Sequence, residues 1–127
     1  MEEIETEGYD DFRRVVDASR SLPNQWQWMQ IRDDDGNEIT RVDILGDDRG
    51  SYENDPGDYS VVASVHISVS DADIPDPSTI GGTALFTEES GGEPRSVEDR
   101  TPFVMDSSDE DALDEITVYH EVLIPEI

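Results

Sequence analysis

The chain has 127 residues, with 33 Asp and Glu against 8 basic side chains, and a formal net charge of −25. Every basic residue is arginine, and neither lysine nor cysteine occurs; disulfides, thiolate metal centres and cysteine nucleophiles are therefore excluded, and there is no basic footprint for neutralising nucleic-acid phosphates. Two Trp, four Tyr, three Phe and several Val/Ile runs argue for a folded chain rather than an acidic disordered one.

So much like charge on one small domain needs screening. The Debye length falls from roughly 8 Å at physiological ionic strength to about 3 Å in molar salt, where most of the repulsion disappears. Asp outnumbers Glu and Lys is missing, which removes exposed methylene surface that concentrated salt would drive into aggregation. The composition predicts a protein of a halophilic source, soluble and folded in concentrated salt.

The length predicts one domain, residues 9–127, behind an acidic tail over residues 1–8. That tail has no basic-then-apolar leader pattern, and no apolar run approaches the ~20 residues of a membrane span. The expectation is a protein neither exported by a conventional signal nor embedded in a membrane.

From Tyr9 to Arg20, Tyr9, Phe12, Val15 and Val16 recur at helical spacing with Asp10 and Asp11 at the start and Arg20 at the end, which predicts one short helix ended by Ser21-Leu22-Pro23. Trp26–Arg32 and Ile39–Leu45 read as two strands of a hairpin around the turn Asp33-Asp34-Asp35-Gly36-Asn37. The same aspartates do not fit a calcium-binding loop: with Gly36 at its sixth position, Ile31 and Val42 would fall where the first and twelfth ligands belong.

Gly46–Asp58 is polar and glycine-rich and reads as a long loop, a candidate contact surface. Ser60–Ser70 is the strongest strand, with Val61, Ala63, Val65, Ile67 and Val69 alternating against a second face. Asp71–Ser78 is a proline-punctuated crossover, Thr83–Thr87 a short strand, Glu88–Pro94 a turn, Arg100–Met105 another strand and Asp106–Asp111 an acidic loop. Ile116–Ile124 closes the chain as a strand with Ile116, Val118, Val122 and Ile124 on one face. Six or seven strands with one N-terminal helix predict an all-β fold, a β-sandwich or small jelly-roll-like barrel.

The residues that could carry chemistry do not converge. His66 and His120 lie in different strands without the partners that a metal site or catalytic base requires. Among 33 carboxylates, close pairs arise by chance and mark no acid/base pair. Gly81-Gly82 lacks a following Lys-Ser/Thr, Gly91-Gly92 opens a turn, and Ser107 lacks a nucleophile-elbow context. No enzyme, metal or cofactor is expected. A mimic of DNA would order its carboxylates in rows, whereas here they gather in turns. The candidate interface residues are Trp26, Trp28, Arg32, Tyr52 and Tyr59, aromatic anchors with a scarce cation, together with Arg13 and Arg14.

Ile80, Ala84, Leu85 and Phe86, then Gly91-Gly92, then Arg100, Pro102 and Phe103, then Ile116, Thr117, Val118, Val122 and Ile124 follow one another in an order that resembles small structural proteins of tailed bacteriophages and tailed archaeal viruses. In that pattern Glu stands where this chain has Gly82 and Trp where it has His120, and a Lys-Thr pair, missing here, precedes the last strand. The resemblance covers the C-terminal third and implies a capsid decoration, turret, neck, baseplate or fibre-associated protein. The leading expectation is thus a non-enzymatic virion protein of a haloarchaeal tailed virus, a homo-oligomer contacting the major capsid protein or tail subunits, with no nucleic acid or membrane partner. The alternatives are a cytoplasmic haloarchaeal protein- or ligand-binding module and, third, a DNA mimic or small hydrolase.

Overall fold

The computed structural model describes residues 26–55 and 60–123. The expected helix over Tyr9–Arg20, with Arg13 and Arg14, lies outside the described residues, as do the acidic tail and Tyr59. Seven strands form two antiparallel sheets, and the described residues contain no helix: β1 (Trp28–Arg32), β2 (Glu38–Asp43), β3 (Gly50–Asp55), β4 (Ser60–Ser68), β5 (Ser78–Phe86), β6 (Ser96–Met105) and β7 (Glu115–Leu123). The first sheet runs β2-β1-β5-β6 and the second β3-β4-β7. Their inner faces share one core, in which Met29, Ile31 and Leu85 of the first sheet meet Val65, Ile67 and Val118 of the second. Burying each such side chain contributes about 1.5–3 kcal/mol.

The β1–β2 hairpin forms as its turn chemistry dictates. Gly36 takes a positive φ of 82°, and Asp33 Oδ1 accepts backbone N–H bonds from Asp35 (2.9 Å) and Asn37 (2.8 Å), the side-chain-to-backbone pattern of an Asx turn. The turn folds against β5 at Gly81, where an added Cβ would lie 2.7 Å from the Asp33 carbonyl oxygen and from Asp34 Cα. Only glycine admits so close a backbone approach.

Three elements depart from the sequence expectation by more than two residues. The span read as a loop over Gly46–Asp58 contains β3, which pairs with β4 from Gly50↔Val65 to Asp55↔Ser60; it is an edge strand pairing with a single neighbour, and Tyr52 is its one apolar residue, so alternation cannot reveal it. β5 starts at Ser78 rather than Thr83, its first half hidden by Gly81-Gly82. β6 starts at Ser96 rather than Arg100, and its register against β5 shifts between Ile80 and Gly82, opposite Asp99 and Phe103. The bulge opposite Gly81 therefore takes in Arg100, Thr101 and Pro102, and a proline is tolerated there because the strand is an edge.

The remaining polar chain is tied down by arginine. Arg49, in the β2–β3 connection, bonds Asp47 (2.8 Å), Asp71 (3.2 Å) and Asp73 (2.8 Å), and Asp73 also accepts from Thr40 Oγ1 of β2 (2.8 Å). These bonds raise the Arg49 guanidinium above its ordinary pKa and hold the Asp47 and Asp73 carboxyls below theirs. Arg41 lies 3.6 Å above the Phe86 ring and donates to the carbonyls of Glu88 and Gly91, pinning the β5–β6 hairpin across β1.

Candidate functional site

The outer face of the β3-β4-β7 sheet has an uncharged middle in an otherwise acidic molecule. β4 carries no carboxylate from Ser60 to Ser70. Because alternate residues point outward, the ladders β3–β4 and β4–β7 arrange the outer face in rows: Glu53–Val62–Glu121, then Ser51–Ser64–Tyr119, then His66–Thr117, then Ser68–Glu115. The central row has no charge, and Tyr119 stands there 55% exposed. Cross-strand bonds flatten the platform: Ser51 and Ser64 hydroxyls lie 3.3 Å apart, and His66 Nδ1 lies 2.9 Å from Thr117 Oγ1. His66 Nε2 is 3.5 Å from Glu115, an ion pair whenever the imidazole is protonated. Exposed tyrosine amid small hydroxyl residues supplies contact area with little entropy to lose, as in antibody binding surfaces.

At one edge the two sheets are bridged by side chains. Glu98 accepts the Glu121 backbone N–H (3.0 Å), and Arg100 donates to the Tyr119 carbonyl. Two outward backbone groups of edge strand β7, the Tyr119 carbonyl and the Glu121 N–H, are thereby occupied, and pairing with another chain is discouraged there. Arg100 Nε is enclosed without an acceptor among the described residues. Beside it, an open groove of about 380 Å³ runs between the β1–β2 turn and the β6 bulge, lined by Arg32, Asp33, Asp34, Asp35, Asp99 and Arg100 among others. Ligand atoms of Asp33, Asp34 and Asp35 lie within 4.8 Å of one another, but the Asp33 carboxylate already serves the turn.

His120 is the residue whose role is least legible from sequence. It points from β7 into the interior, fully buried, with Nδ1 2.7 Å from Thr83 Oγ1 of β5 and Nε2 2.7 Å from Ser96 Oγ of β6. Both ring nitrogens thus find partners on the opposite sheet, as a buried imidazole requires. Burial pushes its pKa down to about 4; the nearby Glu98 carboxylate works against that shift and Arg100 with it. The serine–imidazole contact has nucleophile–base spacing, but the third group is a neutral threonine and the ring is closed off from solvent, so its immediate effect is to lock β7 onto β5 and β6. The alternation that placed His120 among Ile116, Val118 and Val122 carried this signal: its neighbours two residues away face the core.

The sequence-derived interface candidates among the described residues, Trp26, Trp28, Arg32 and Tyr52, do not come together on one surface. Trp26 precedes β1 and packs against the core cluster, as does Tyr52, whose hydroxyl donates to the Trp26 carbonyl (2.7 Å). Trp28 lies on the outer face of the first sheet between Asp43 and Phe86. Arg32 sits at the groove, its Nε donating to Gln30 Oε1. Tyr119, the exposed aromatic of the platform's middle row, was hidden in the sequence by its place in a strand read for its buried face. No helix among the described residues is long and apolar enough to cross a membrane. Comparison with protein-family models, with curated proteins and with solved structures returns no match for this chain.

Proposed function

We propose that this chain is a non-enzymatic structural subunit, a β-sandwich that works in concentrated salt by associating with copies of itself and with neighbouring proteins, on the head or tail of a tailed virus of a halophilic archaeon. The observation that carries the reading is the uncharged middle row Ser51–Ser64–Tyr119 on the outer face of β3-β4-β7, with Tyr119 exposed on its edge strand, set in a molecule of net charge −25. Acidic subunits repel one another, so a face free of carboxylates at its middle is where a second protein can approach. The order of residues from Ile80 to Ile124, similar to that of tailed-virus structural proteins, supports a particle as the setting. The test is mass spectrometry of virus particles banded in a high-salt density gradient. The chain is expected in the particle band, with a copy number that separates a repeated shell decoration from a neck, baseplate or fibre component. Its absence from every particle band would overturn the virion assignment.

A second reading rests on the groove beside Arg100, whose arginines and aspartates suit a polar ligand of a cellular binding module. A monomer at all concentrations that binds a small polar molecule in that groove would favour it.

A further inference from the structure

We infer that two copies of this chain pack through the outer faces of their β3-β4-β7 sheets, related by a two-fold axis that runs across the strands through the row Ser51–Ser64–Tyr119. The inference rests on the self-association proposed above and names its surface and geometry. It follows from where charge lies on that face. On one side of the central row are two carboxylates, Glu53 and Glu121, flanking Val62; on the other are His66 and Thr117, with a single carboxylate, Glu115, one row further out beside His66. Arg49 precedes β3 on that second side, its carbonyl accepting the His66 N–H (2.9 Å), but its guanidinium is committed to Asp47, Asp71 and Asp73.

A two-fold axis across the strands lays the Glu53–Val62–Glu121 row of one copy over the His66–Thr117 row of the other. It keeps Glu53 and Glu121 of one copy apart from Glu53 and Glu121 of the other, and brings Glu121 toward a hydroxyl and an imidazole. An axis along β4 would do the opposite, placing Glu53 of each copy over Glu121 of its partner. Like charges held opposite one another are penalised even in concentrated salt, because the contact excludes the water and ions that would screen them. In the favoured arrangement Tyr119 meets Tyr119, Ser64 meets Ser64 and Ser51 meets Ser51.

The size of the platform sets the strength. Nine residues of β4 at ~3.4 Å each and three strands about 4.8 Å apart give roughly 400 Å² a side, half of the ~800 Å² per partner of a stable complex. The pair is therefore weak in free solution and strengthened where many copies are held together, as on a particle.

Sedimentation of the purified chain in molar potassium chloride, up to millimolar protein, tests this. A monomer–dimer equilibrium is expected. Ser64→Glu and, separately, Tyr119→Glu should each raise the dissociation constant by about tenfold or more. Val104→Glu, an exposed position on the outer face of the other sheet, should leave it unchanged, with circular dichroism confirming that each variant is folded. The chain has no cysteine, so a single introduced thiol reads out the symmetry: Ser51→Cys should be captured as a dimer by a short thiol cross-linker, and Glu53→Cys, two residues off the axis, should not. Dimers that survive both Ser64→Glu and Tyr119→Glu, or that yield no Ser51→Cys cross-link, would overturn this surface or this axis while leaving self-association standing. A wild-type chain monomeric at every concentration would overturn both.

Discussion

His120 makes the fold's stability depend on pH. Its ordinary pKa of 6.5 falls to about 4 on burial, so between these values the unfolded chain binds a proton that the folded chain refuses. Stability is complete above the unfolded value and falls as pH drops through the window, because the unfolded state gains protons there. A shift of about 2.5 units is worth roughly 3 kcal/mol in full, and about 2 kcal/mol of it should be lost between pH 7.5 and pH 5. Urea unfolding in molar potassium chloride at these two pH values measures the loss. His120→Gln cannot protonate and should be less stable at pH 7.5 but lose about 2 kcal/mol less on acidification. The sequence holds two histidines, so imidazole proton resonances can be assigned with His66→Gln and the His120 midpoint followed directly. A His120 midpoint above pH 6, or equal acid sensitivity in wild type and His120→Gln, would refute a neutral imidazole locked between Thr83 and Ser96.

Three further outcomes follow from other contacts. Arg49→Met leaves Asp47, Asp71 and Asp73 facing one another without a cation and should cost about 2 kcal/mol, less in ~4 M than in ~1 M salt because screening relieves the repulsion; an equal loss in both, by urea unfolding, would show that packing rather than charge is at stake. Gly81→Ala drives a Cβ into the backbone of the β1–β2 turn and should lower Tm by several degrees, of the size about 1–3 kcal/mol produces, whereas an unchanged Tm would show that the turn can move away freely. Transfer of the whole chain into dilute salt should abolish its β-type circular dichroism as unscreened carboxylates repel, and full retention would sink the halophilic reading of the composition.

The parts of this fold that the sequence discloses are those in which one face is apolar and regular. β4, β7 and the β1–β2 hairpin were legible because Val61-Ala63-Val65-Ile67, Ile116-Val118 and Met29-Ile31 alternate with polar residues around unmistakable turn chemistry. β3 was not, because an edge strand paired on one side needs only Tyr52 to anchor it, and the first half of β5 was not, because its glycines answer to the approach of a distant turn. The surface was harder still. Aromatic content pointed to Trp26, Trp28 and Tyr52, yet two of these pack on the core, while the exposed aromatic is Tyr119. The informative signal was the missing charge: in a chain where about one residue in four is acidic, eleven consecutive residues from Ser60 to Ser70 without a carboxylate exceed what burial of one strand face demands. Burial explains Val61, Ala63, Val65 and Ile67; it does not explain why Val62, Ser64, Ser68 and Ser70, which point the other way, are uncharged as well. A solvated face of this protein would be expected to carry aspartate there, and a face that meets another copy would not.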